Sequence, residues 1–188
     1  MDTHYINEVL KGNTNAFGYF IRTYQNKAFG VAVSIVKRED DAKDVVQESF
    51  ITAYASLTNF RNDAKFSTWF YRIVVNKALQ FIKREKRKNE VEGDYSITED
   101  EKTTINNAIG QLEKQDLKKL IKEVFKKIPA KEALVLQLYY IDDQSIMEIK
   151  EITAFTKANV KVLLHRGRTS FYKMLMDKKI KKPYQNGG

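Results

Sequence analysis

Residues 41–63 read DAKDVVQESFITAYASLTNFRND, and this stretch decides how the chain is organised. Its apolar and small side chains recur at alternating spacings of three and one, which places them in one stripe along a 3.6-residue helix. The stripe consists of Ala42, Val45, Val46, Ser49, Phe50, Ala53, Tyr54 and Leu57. The opposite face carries Asp41, Asp44, Gln47 and Glu48. Acids in the first turns complement the helix dipole, which explains Asp41 and Asp44 but explains Glu48 poorly. Two interpretations of this acidic face stay open, a solvated surface and a docking surface.

Composition bounds both the fold and the class of function. The 188 residues are 43% hydrophobic and include only two prolines and eight glycines, which favours one or two small helical domains. The net charge of +9 favours a polyanionic partner, nucleic acid before a membrane surface. With no cysteine and two histidines, a disulfide framework or a metal site is not expected. No apolar run has the length of a signal peptide or a membrane span, so we expect a cytoplasmic protein without membrane insertion.

The first half of the chain predicts four helices. The first covers residues 5–11 and closes at Gly12, and the second begins near residue 13 and ends around Lys37. The core positions of the second helix are Phe17, Phe20, Ile21, Tyr24, Ala28, Val31, Ala32 and Ile35. After the stretch 41–63, residues 59–65 form a polar loop. A fourth helix begins at Phe66 or Ser67, capped by Ser67 or Thr68. Its core stripe is Phe70, Ile73, Val74, Ala78 and Phe81, and it ends in KREKRK, where five of six residues are basic.

An acidic segment then separates two predicted domains. Residues 90–101 contain six acids and no base, so we predict a flexible linker at 90–102 between a domain at 1–89 and another at 103–178. A basic tail, 179–188, follows the second domain.

The second domain carries a helix-turn-helix pattern. Residues 105–127 and a segment beginning at Pro129 are helix-compatible. A short helix over 145–152 then turns Ile146, Ile149 and Ile152 inward, and residues 153–155 make a tight connection. Thr156 caps the last helix, whose inner face is Val160, Leu163, Leu164, Gly167, Phe171 and Leu175. A short helix, a three-residue turn and a capped basic helix are typical of this DNA-binding motif.

Three ordered blocks resemble the sigma-70 family of sigma factors, in its extracytoplasmic-function (ECF) group. DDAKDVVQESFITAY at 40–54 is similar to the family's DAEDVVQETF block, and FRNDAKFSTWFYRIVVNKA at 60–78 to its block around TWLYRIA. EIKEITAFTKANVKVLLHRGR at 148–168 resembles its helix-turn-helix. The resemblance implies an all-α fold of two small helical domains, a region 2 bundle and a region 4 helix-turn-helix. It also implies promoter-specific transcription initiation with core RNA polymerase and promoter DNA as partners, and an anti-sigma factor as a further candidate.

The resemblance, together with the basic run and the outward face of the last helix, assigns roles to three groups of residues. Core RNA polymerase contacts are Asp41, Asp44, Gln47 and Glu48. The residues for the −10 element, where the basic run also favours phosphate contact, are Phe60, Arg61, Asn62, Asp63, Lys65, Trp69, Arg72, Asn76, Lys83 and Arg84. The residues for the −35 element are Thr156, Lys157, Asn159, Lys161, Val162, His165 and Arg166. No catalytic residue, metal ligand or cofactor is implied, so we do not expect an enzyme.

The chain departs from the family pattern at several positions, and one alternative function stays open. Ala154 stands where relatives usually have the turn Gly, and Gly167 stands in place of an Ala. Gln80, Lys150 and Leu163 also differ from the usual residues, which bears on which bases the last helix reads. The alternative function is a helix-turn-helix regulator that does not load RNA polymerase. That alternative shares the charge and the motif but leaves the acidic face of residues 41–48 unexplained.

Overall fold

The computed structural model describes residues 1–92, 121 and 123–180, and its first part is a bundle of four helices. They are α1 (Asp2–Leu10), α2 (Gly18–Val36), α3 (Glu39–Ala55) and α4 (Phe66–Glu92). Short 3-10 segments, Thr14–Phe17 and Leu57–Asn59, precede α2 and follow α3. Helices α2, α3 and α4 pack against one another around a shared core.

The remaining described residues form the second helical unit. It contains a helical stretch at 123–127, α5 (Ala130–Leu136), a π-helical turn (Gln137–Ile141), α6 (Ile146–Thr153) and α7 (Lys157–Ile180). The all-α prediction is confirmed, and the described ranges contain no strand. The expectations for 93–102, for 103–120 and for 181–188 lie outside the described residues. The predicted boundary at residue 89 falls inside α4, and α7 runs two residues past the predicted domain end at 178.

The apolar stripe of α3 lies where the sequence places it. Six of its members are buried: Ala42, Val45, Ser49, Phe50, Ala53 and Leu57. Val46 is half-buried. Tyr54 stays 43% exposed, with its ring edge-on to Phe17 at 5.1 Å. The polar face of α3 therefore points away from the bundle.

Helix α1 begins earlier than predicted, at Asp2 rather than at residue 5. The Asp2 carboxylate accepts hydrogen bonds from the Tyr19 hydroxyl at 2.9 Å and the Tyr24 hydroxyl at 2.6 Å. The Tyr5 ring stacks on Tyr19 with centroids 4.0 Å apart. These contacts with α2 hold the first turn of α1. Ile21, predicted to be in the core, is instead 40% exposed, because Phe20 and Tyr24 are the α2 residues that face Phe66.

The predicted cap and core stripe of α4 need two corrections. The helix begins at Phe66, and the Trp69 N–H bonds to the Lys65 carbonyl, so Ser67 and Thr68 lie inside the first turn and do not cap it. The core side of α4 also includes Tyr71 and Val75, which the sequence stripe omitted. Both are buried, and Tyr71 contacts Tyr24 of α2, with ring centroids 6.4 Å apart. Helix α6 of the second unit also packs along α4.

The helix-turn-helix corner and the predicted Thr156 cap are confirmed. Ser145 and Glu148 form a reciprocal capping box at the start of α6, and the Asn159 N–H bonds to the Thr156 hydroxyl at 3.1 Å at the start of α7. Between the helices, Ala154 adopts the left-handed conformation with φ of 59°. The backbone therefore turns sharply enough for α7 to lie against α5 and α6.

The two units pack against each other across α2. The Lys37 ammonium donates to the carbonyls of Phe125 at 3.1 Å and Ile128 at 2.7 Å, and burial lowers the pKa of Lys37 to about 8. Lys126 pairs with Glu39 at 3.1 Å. A Cβ added at Gly30 would lie 2.5 Å from Nε2 of Gln137, so a methyl group there would require the Gln137 side chain to shift. The described residues share one continuous core.

Candidate nucleic-acid interface

The loop 60–65 projects from the bundle with polar side chains outward. Asn62 has φ of 59°, and this left-handed residue reverses the chain just before α4. Arg61 and Asp63 pair at 3.2 Å with both side chains largely exposed. Phe60 anchors the loop from inside, since its ring contacts Phe66 at 5.9 Å and Trp69 at 5.1 Å. Phe60 and Trp69 are half-buried supports, whereas Arg61, Asn62, Asp63 and Lys65 are accessible to a ligand.

Two depressions flank this loop. One, of about 400 Å³, is lined by Arg61, Asp63, Thr68, Trp69 and Arg72, among others. The other, of about 750 Å³, opens towards α1 and is lined by residues that include Asp2, Tyr24, Asn62, Lys65 and Ser67. The side chains that line both are a mixture of aromatic faces and polar groups. Such walls suit an unpaired base, which offers an apolar face and a polar edge.

An exposed polar stripe continues from the loop along α4. Arg72 and Asn76 are one turn apart, and Lys83 and Arg84 follow two turns later, all exposed. The Arg84 guanidinium lies 5.4 Å from the Phe81 ring centroid, which supports its side chain against the helix. The structure therefore joins the predicted −10 residues into one surface that runs from the loop into the basic end of α4.

The acidic face belongs to α3, whereas the predicted −10 surface is formed by loop 60–65 and α4. Asp44, Gln47 and Glu48 are exposed, and Asp41 is mostly covered and pairs with Arg38 at 3.5 Å. Glu48 is 3.9 Å from Lys77 of α4. Within the described residues, Asp44 makes no ion pair. The accessible part of this face is thus centred on Asp44 and Gln47, with Asp41 at its edge.

The first turns of α7 present the third predicted group. Thr156, Lys157, Asn159, Lys161, Val162, His165 and Arg166 are all exposed. Val162, 46% exposed, interrupts the polar side chains with one apolar contact point. Leu163 and Leu164 lie on the buried side. The helix can therefore offer its whole outer face to a groove of duplex DNA.

Sequence reasoning missed three residues that help to form the loop surface. Thr68 lines the smaller depression, and its buried hydroxyl has no hydrogen-bond partner in the described part of the chain. Thr68 lies four residues before Arg72, and this spacing places both on the same face of α4, so the position of Thr68 beside Arg72 could have been predicted. Glu148 and Glu151 come from α6. Glu148 pairs with Lys65 at 2.8 Å, and Glu151 lines the same depression as Arg72. Nothing in the local sequence pattern places α6 next to this loop.

The Lys65–Glu148 pair is a partly buried contact. The Glu148 side chain is 18% exposed and that of Lys65 is 71% exposed. Burial raises the pKa of the Glu148 carboxyl, but hydrogen bonds from Lys65 and Ser145 outweigh burial and leave the pKa below its ordinary value. The pKa of Lys65 is raised by the hydrogen bond and charge of Glu148. Both groups are therefore charged at neutral pH.

Comparison with known proteins gives strong sequence matches. The model of Sigma-70 region 2 matches residues 20–88. The chain is 32% identical over 178 residues to the ECF RNA polymerase sigma factor SigW of Bacillus subtilis, covering 92% of this chain and 95% of that protein. It is 29% identical over 169 residues to the ECF RNA polymerase sigma-E factor of Salmonella typhimurium, covering 87% of this chain and 88% of that protein. In the described residues, no helix has the length and apolarity needed to cross a membrane.

Solved structures confirm the fold. The complex of CnrH with the cytosolic domain of CnrY matches with a TM-score of 0.60 at 22% identity, covering 91% of this chain and 94% of that one. The sigma factor RpoE in complex with the anti-sigma factor NepR from Bartonella quintana matches with a TM-score of 0.65 at 20% identity. That match covers 85% of this chain and 96% of the other.

Proposed function

The chain belongs to the ECF RNA polymerase sigma factors, and we propose that it binds core RNA polymerase and directs initiation at promoters with −10 and −35 elements. Residues 1–89 would dock on the polymerase and open the −10 element, and residues 103–178 would hold the −35 element. The observation that carries the proposal is the joined surface of loop 60–65 and α4, a polar loop between two depressions next to a basic stripe. The protein acts as a cytoplasmic initiation factor and not as an enzyme.

Promoter opening has an energetic requirement that this surface can meet. Unstacking a base costs a few kcal/mol, and stacking an extruded base on protein walls returns about 1–3 kcal/mol. The depressions beside Asn62 provide such walls, and Asn62 itself has an exposed amide that can bond to a base edge. Arg72, Asn76, Lys83 and Arg84 extend outward from the loop, where they can follow the displaced strand. Half-buried Phe60 and Trp69 hold the loop and support it from behind.

The acidic face of α3 is the proposed docking surface for core RNA polymerase. Its apolar side packs into the bundle, so the outward acids serve no purpose in the core. In a chain with a net charge of +9, Asp44 and Glu48 concentrate negative charge on one exposed helix face. A positively charged partner surface would complement this face without competing for the DNA-binding residues.

The −35 element would be bound as duplex by α7. Lys161, His165 and Arg166 can reach base edges or phosphates from the major groove, and Val162 can contact a thymine methyl. We also propose an anti-sigma factor as a regulatory partner, because RpoE of Bartonella quintana forms such a complex with a similar fold. A regulator that does not load polymerase is not favoured, since the relatives are sigma factors along most of the chain.

Run-off transcription tests the proposal most directly. The purified chain, added to core RNA polymerase on genomic DNA, should yield transcripts whose start sites share two upstream elements. Absence of any factor-dependent transcript would overturn the proposal. Asn76→Ala and Asn62→Ala should reduce permanganate reactivity of unpaired thymines on a duplex promoter and recover on a pre-melted template. Gln25→Ala, an exposed α2 position outside the surface, is the matched control.

A further inference from the structure

The depression of about 750 Å³ on the α1 side of loop 60–65 (the α1-side depression) is large enough to receive a nucleotide base. Its walls come from α1, from α2, from the loop and from the first turn of α4. Asp63 and Ala64 line both this depression and the one of about 400 Å³ beside the loop. A single strand that crosses the loop therefore meets two places that can each hold a base.

The α1-side depression contains a carboxylate that the neighbouring side chains hold in place. Asp2 Oδ1 accepts a hydrogen bond from the Tyr19 hydroxyl at 2.9 Å, and Oδ2 accepts one from the Tyr24 hydroxyl at 2.6 Å. Burial, together with the hydrogen bond to Asp2, raises the pKa of both tyrosines, so both hydroxyls are donors at neutral pH. Each carboxylate oxygen keeps a lone pair for a further donor. Asp2 is therefore a fixed acceptor at the wall of the depression.

The remaining walls suit the face of a base and the strand that carries it. Tyr24 and Phe66 both line the α1-side depression, and their ring centroids are 5.3 Å apart. Asn62 and Lys65 line it from the loop, and both side chains are exposed. An aromatic wall offers a stacking surface to any base, and an ammonium can pair with a backbone phosphate. These groups can bind a nucleotide without choosing among the four bases.

The Asp2 carboxylate can make that choice, because the bases differ in the donors that they present. Adenine, cytosine and guanine each have an exocyclic amino group that can donate to a carboxylate oxygen. Thymine instead has two carbonyl oxygens beside its single ring N–H, and these would face the negative charge of Asp2. A carboxylate at this wall therefore favours a base with an amino group and disfavours thymine.

We propose that the α1-side depression binds a second extruded base of the opened promoter strand, and that Asp2 selects a base with an exocyclic amino group over thymine. The second base depends on the proposed role of loop 60–65 in opening the −10 element. It adds a reading residue that lies on α1, outside the loop and outside α4. No residue of α1 is among those that the sequence predicted for the −10 element.

Transcription by the complete chain with core RNA polymerase measures the base preference. The templates are randomised across the −10 element, and sequenced transcripts give the preference at each position. At one position, the native chain should disfavour thymine by roughly tenfold relative to a base with an amino group. Asp2→Asn replaces one acceptor by an N–H donor, so this penalty should fall to about threefold or less at that position alone. If Asp2→Asn relieves no thymine penalty, the role of Asp2 is wrong.

Two control variants separate base recognition from the support of α1 and from net charge. Tyr19→Phe removes one hydrogen bond to Asp2, but Tyr19 does not line the depression, and the bond from Tyr24 stays. This variant should lower the midpoint of thermal unfolding and keep most of the thymine penalty. Glu8→Gln removes one acid from the same helix, where Glu8 pairs with Lys11 at 3.6 Å, and should leave the penalty intact. Equal relief in Asp2→Asn and in either control would overturn the role of Asp2.

Removal of the amino group from the base tests the contact itself. At the position found with the randomised templates, purine replaces adenine, 2-pyrimidinone replaces cytosine, or hypoxanthine replaces guanine. Loss of the amino group should reduce transcription roughly tenfold with the native chain and about twofold or less with Asp2→Asn, since both changes remove the same hydrogen bond. If the two losses are fully additive, Asp2 does not contact the amino group.

Asn62→Ala and Asn76→Ala keep the second base separate from the function on which it depends. Both variants should reduce permanganate reactivity of unpaired thymines if the loop surface opens the −10 element. If they do so while Asp2→Asn leaves every base preference unchanged, the proposed function stands and the role of Asp2 fails. If neither variant changes promoter opening, the proposed function of the loop fails, and the second base fails with it.

Discussion

At the scale of single residues, two small residues of the helix-turn-helix unit are constrained in different ways. Ala154 is constrained by its backbone conformation, and Gly167 by the space available for a Cβ. Ala154 has φ of 59°, which an L-residue with a Cβ adopts at a cost. Gly167 lies on the buried side of α7, where an added Cβ would be 3.0 Å from Leu136 Cγ and 3.3 Å from the Glu132 carbonyl. The turn would accept a glycine at position 154, whereas α7 cannot accept an alanine at position 167 without a shift in α5.

Ala154→Gly should stabilise the protein by about 1 kcal/mol, because glycine adopts the left-handed conformation freely. Urea unfolding of the wild type and the variant measures the difference in the free energy of unfolding. Ala158→Gly, in the first turn of α7, is the matched control and should destabilise by up to about 1 kcal/mol. A loss of stability in Ala154→Gly would contradict the proposed strain at the turn.

Gly167→Ala should fail to give the gain of about 1 kcal/mol that helix propensity alone predicts. Overpacking against Leu136 and the Glu132 carbonyl should instead lower stability by up to about 2 kcal/mol. Gly18→Ala is the comparison, since its added Cβ would contact only the movable end of Arg22. Thermal unfolding of both variants gives the answer, and a raised midpoint for Gly167→Ala would show that α5 yields easily.

At the scale of elements, α3 and α7 each present one outward face that can be changed without touching the core. Asp44→Lys with Glu48→Lys should preserve helical circular dichroism, because both side chains are exposed. The same variant should lose co-elution with core RNA polymerase at moderate salt. Exchange of Gln25 and Asn26 for lysine adds the same number of lysines to α2 and is the control. Undiminished co-elution of the α3 variant would remove the docking assignment.

The outer face of α7 should separate into base and phosphate contacts. Arg166→Ala should relax sequence preference at one position of the −35 element, at a cost of about 1–3 kcal/mol. Lys157→Ala, at the helix start, should weaken binding to every sequence and lower the salt slope by about one. Binding of the full chain to a randomised upstream element at two salt concentrations measures both effects. If the two variants exchange these behaviours, α7 lies in the groove in the opposite sense.

At the scale of the whole molecule, the buried Asp142 makes the stability of the compact chain depend on pH. Burial raises the pKa of this carboxyl to about 6, against the opposing hydrogen bond from Gln137 and the charge of Lys27. A raised pKa means that the folded chain favours the protonated acid. The contribution to stability is complete below the ordinary pKa near 3.8 and is lost as the pH rises through about 6.

The compact chain should therefore lose roughly 1 kcal/mol of stability between pH 5 and pH 7 from this group. Urea unfolding at the two pH values measures the change. Asp142→Asn keeps the shape of the side chain and can still accept from Gln137, so the difference between the two pH values should shrink by that amount. An identical pH response in both proteins would assign it to other groups.

The sequence predicted those elements whose partners are close in the chain or whose pattern is periodic. The α3 stripe, the Thr156 cap and the exposed face of α7 followed from spacing and were confirmed. The start of α1 was missed because Asp2 is held by two tyrosines of α2, a tertiary contact that propensity does not contain. Tyr71 and Val75 were missed from the core stripe because α4 packs against helices on more than one side, among them α6, which is distant in sequence.

The residues of the candidate site also fall into those that the sequence pattern predicted and those that it did not. Exposure of the loop residues and of Arg72 and Asn76 could be predicted, since they lie off the apolar stripe of α4. The presence of Glu148 and Glu151 beside them could not, because a charge pair between distant helices leaves no local pattern. The roles of the predicted site residues in DNA binding and in docking on RNA polymerase stay predictions.

A methyl group added at Gly30 would press against the side chain of Gln137, where the two units meet. Gly30→Ala should strengthen α2 as a helix, since alanine has the higher propensity, yet its Cβ would meet Nε2 and Cδ of Gln137 at 2.5 and 2.9 Å. The substitution changes no charge and no residue proposed to touch DNA or polymerase. It should therefore displace the Gln137 amide from its hydrogen bond with Asp142 and stabilise the protein by less than helix propensity predicts, which urea unfolding of Gly30→Ala beside Gly18→Ala would measure.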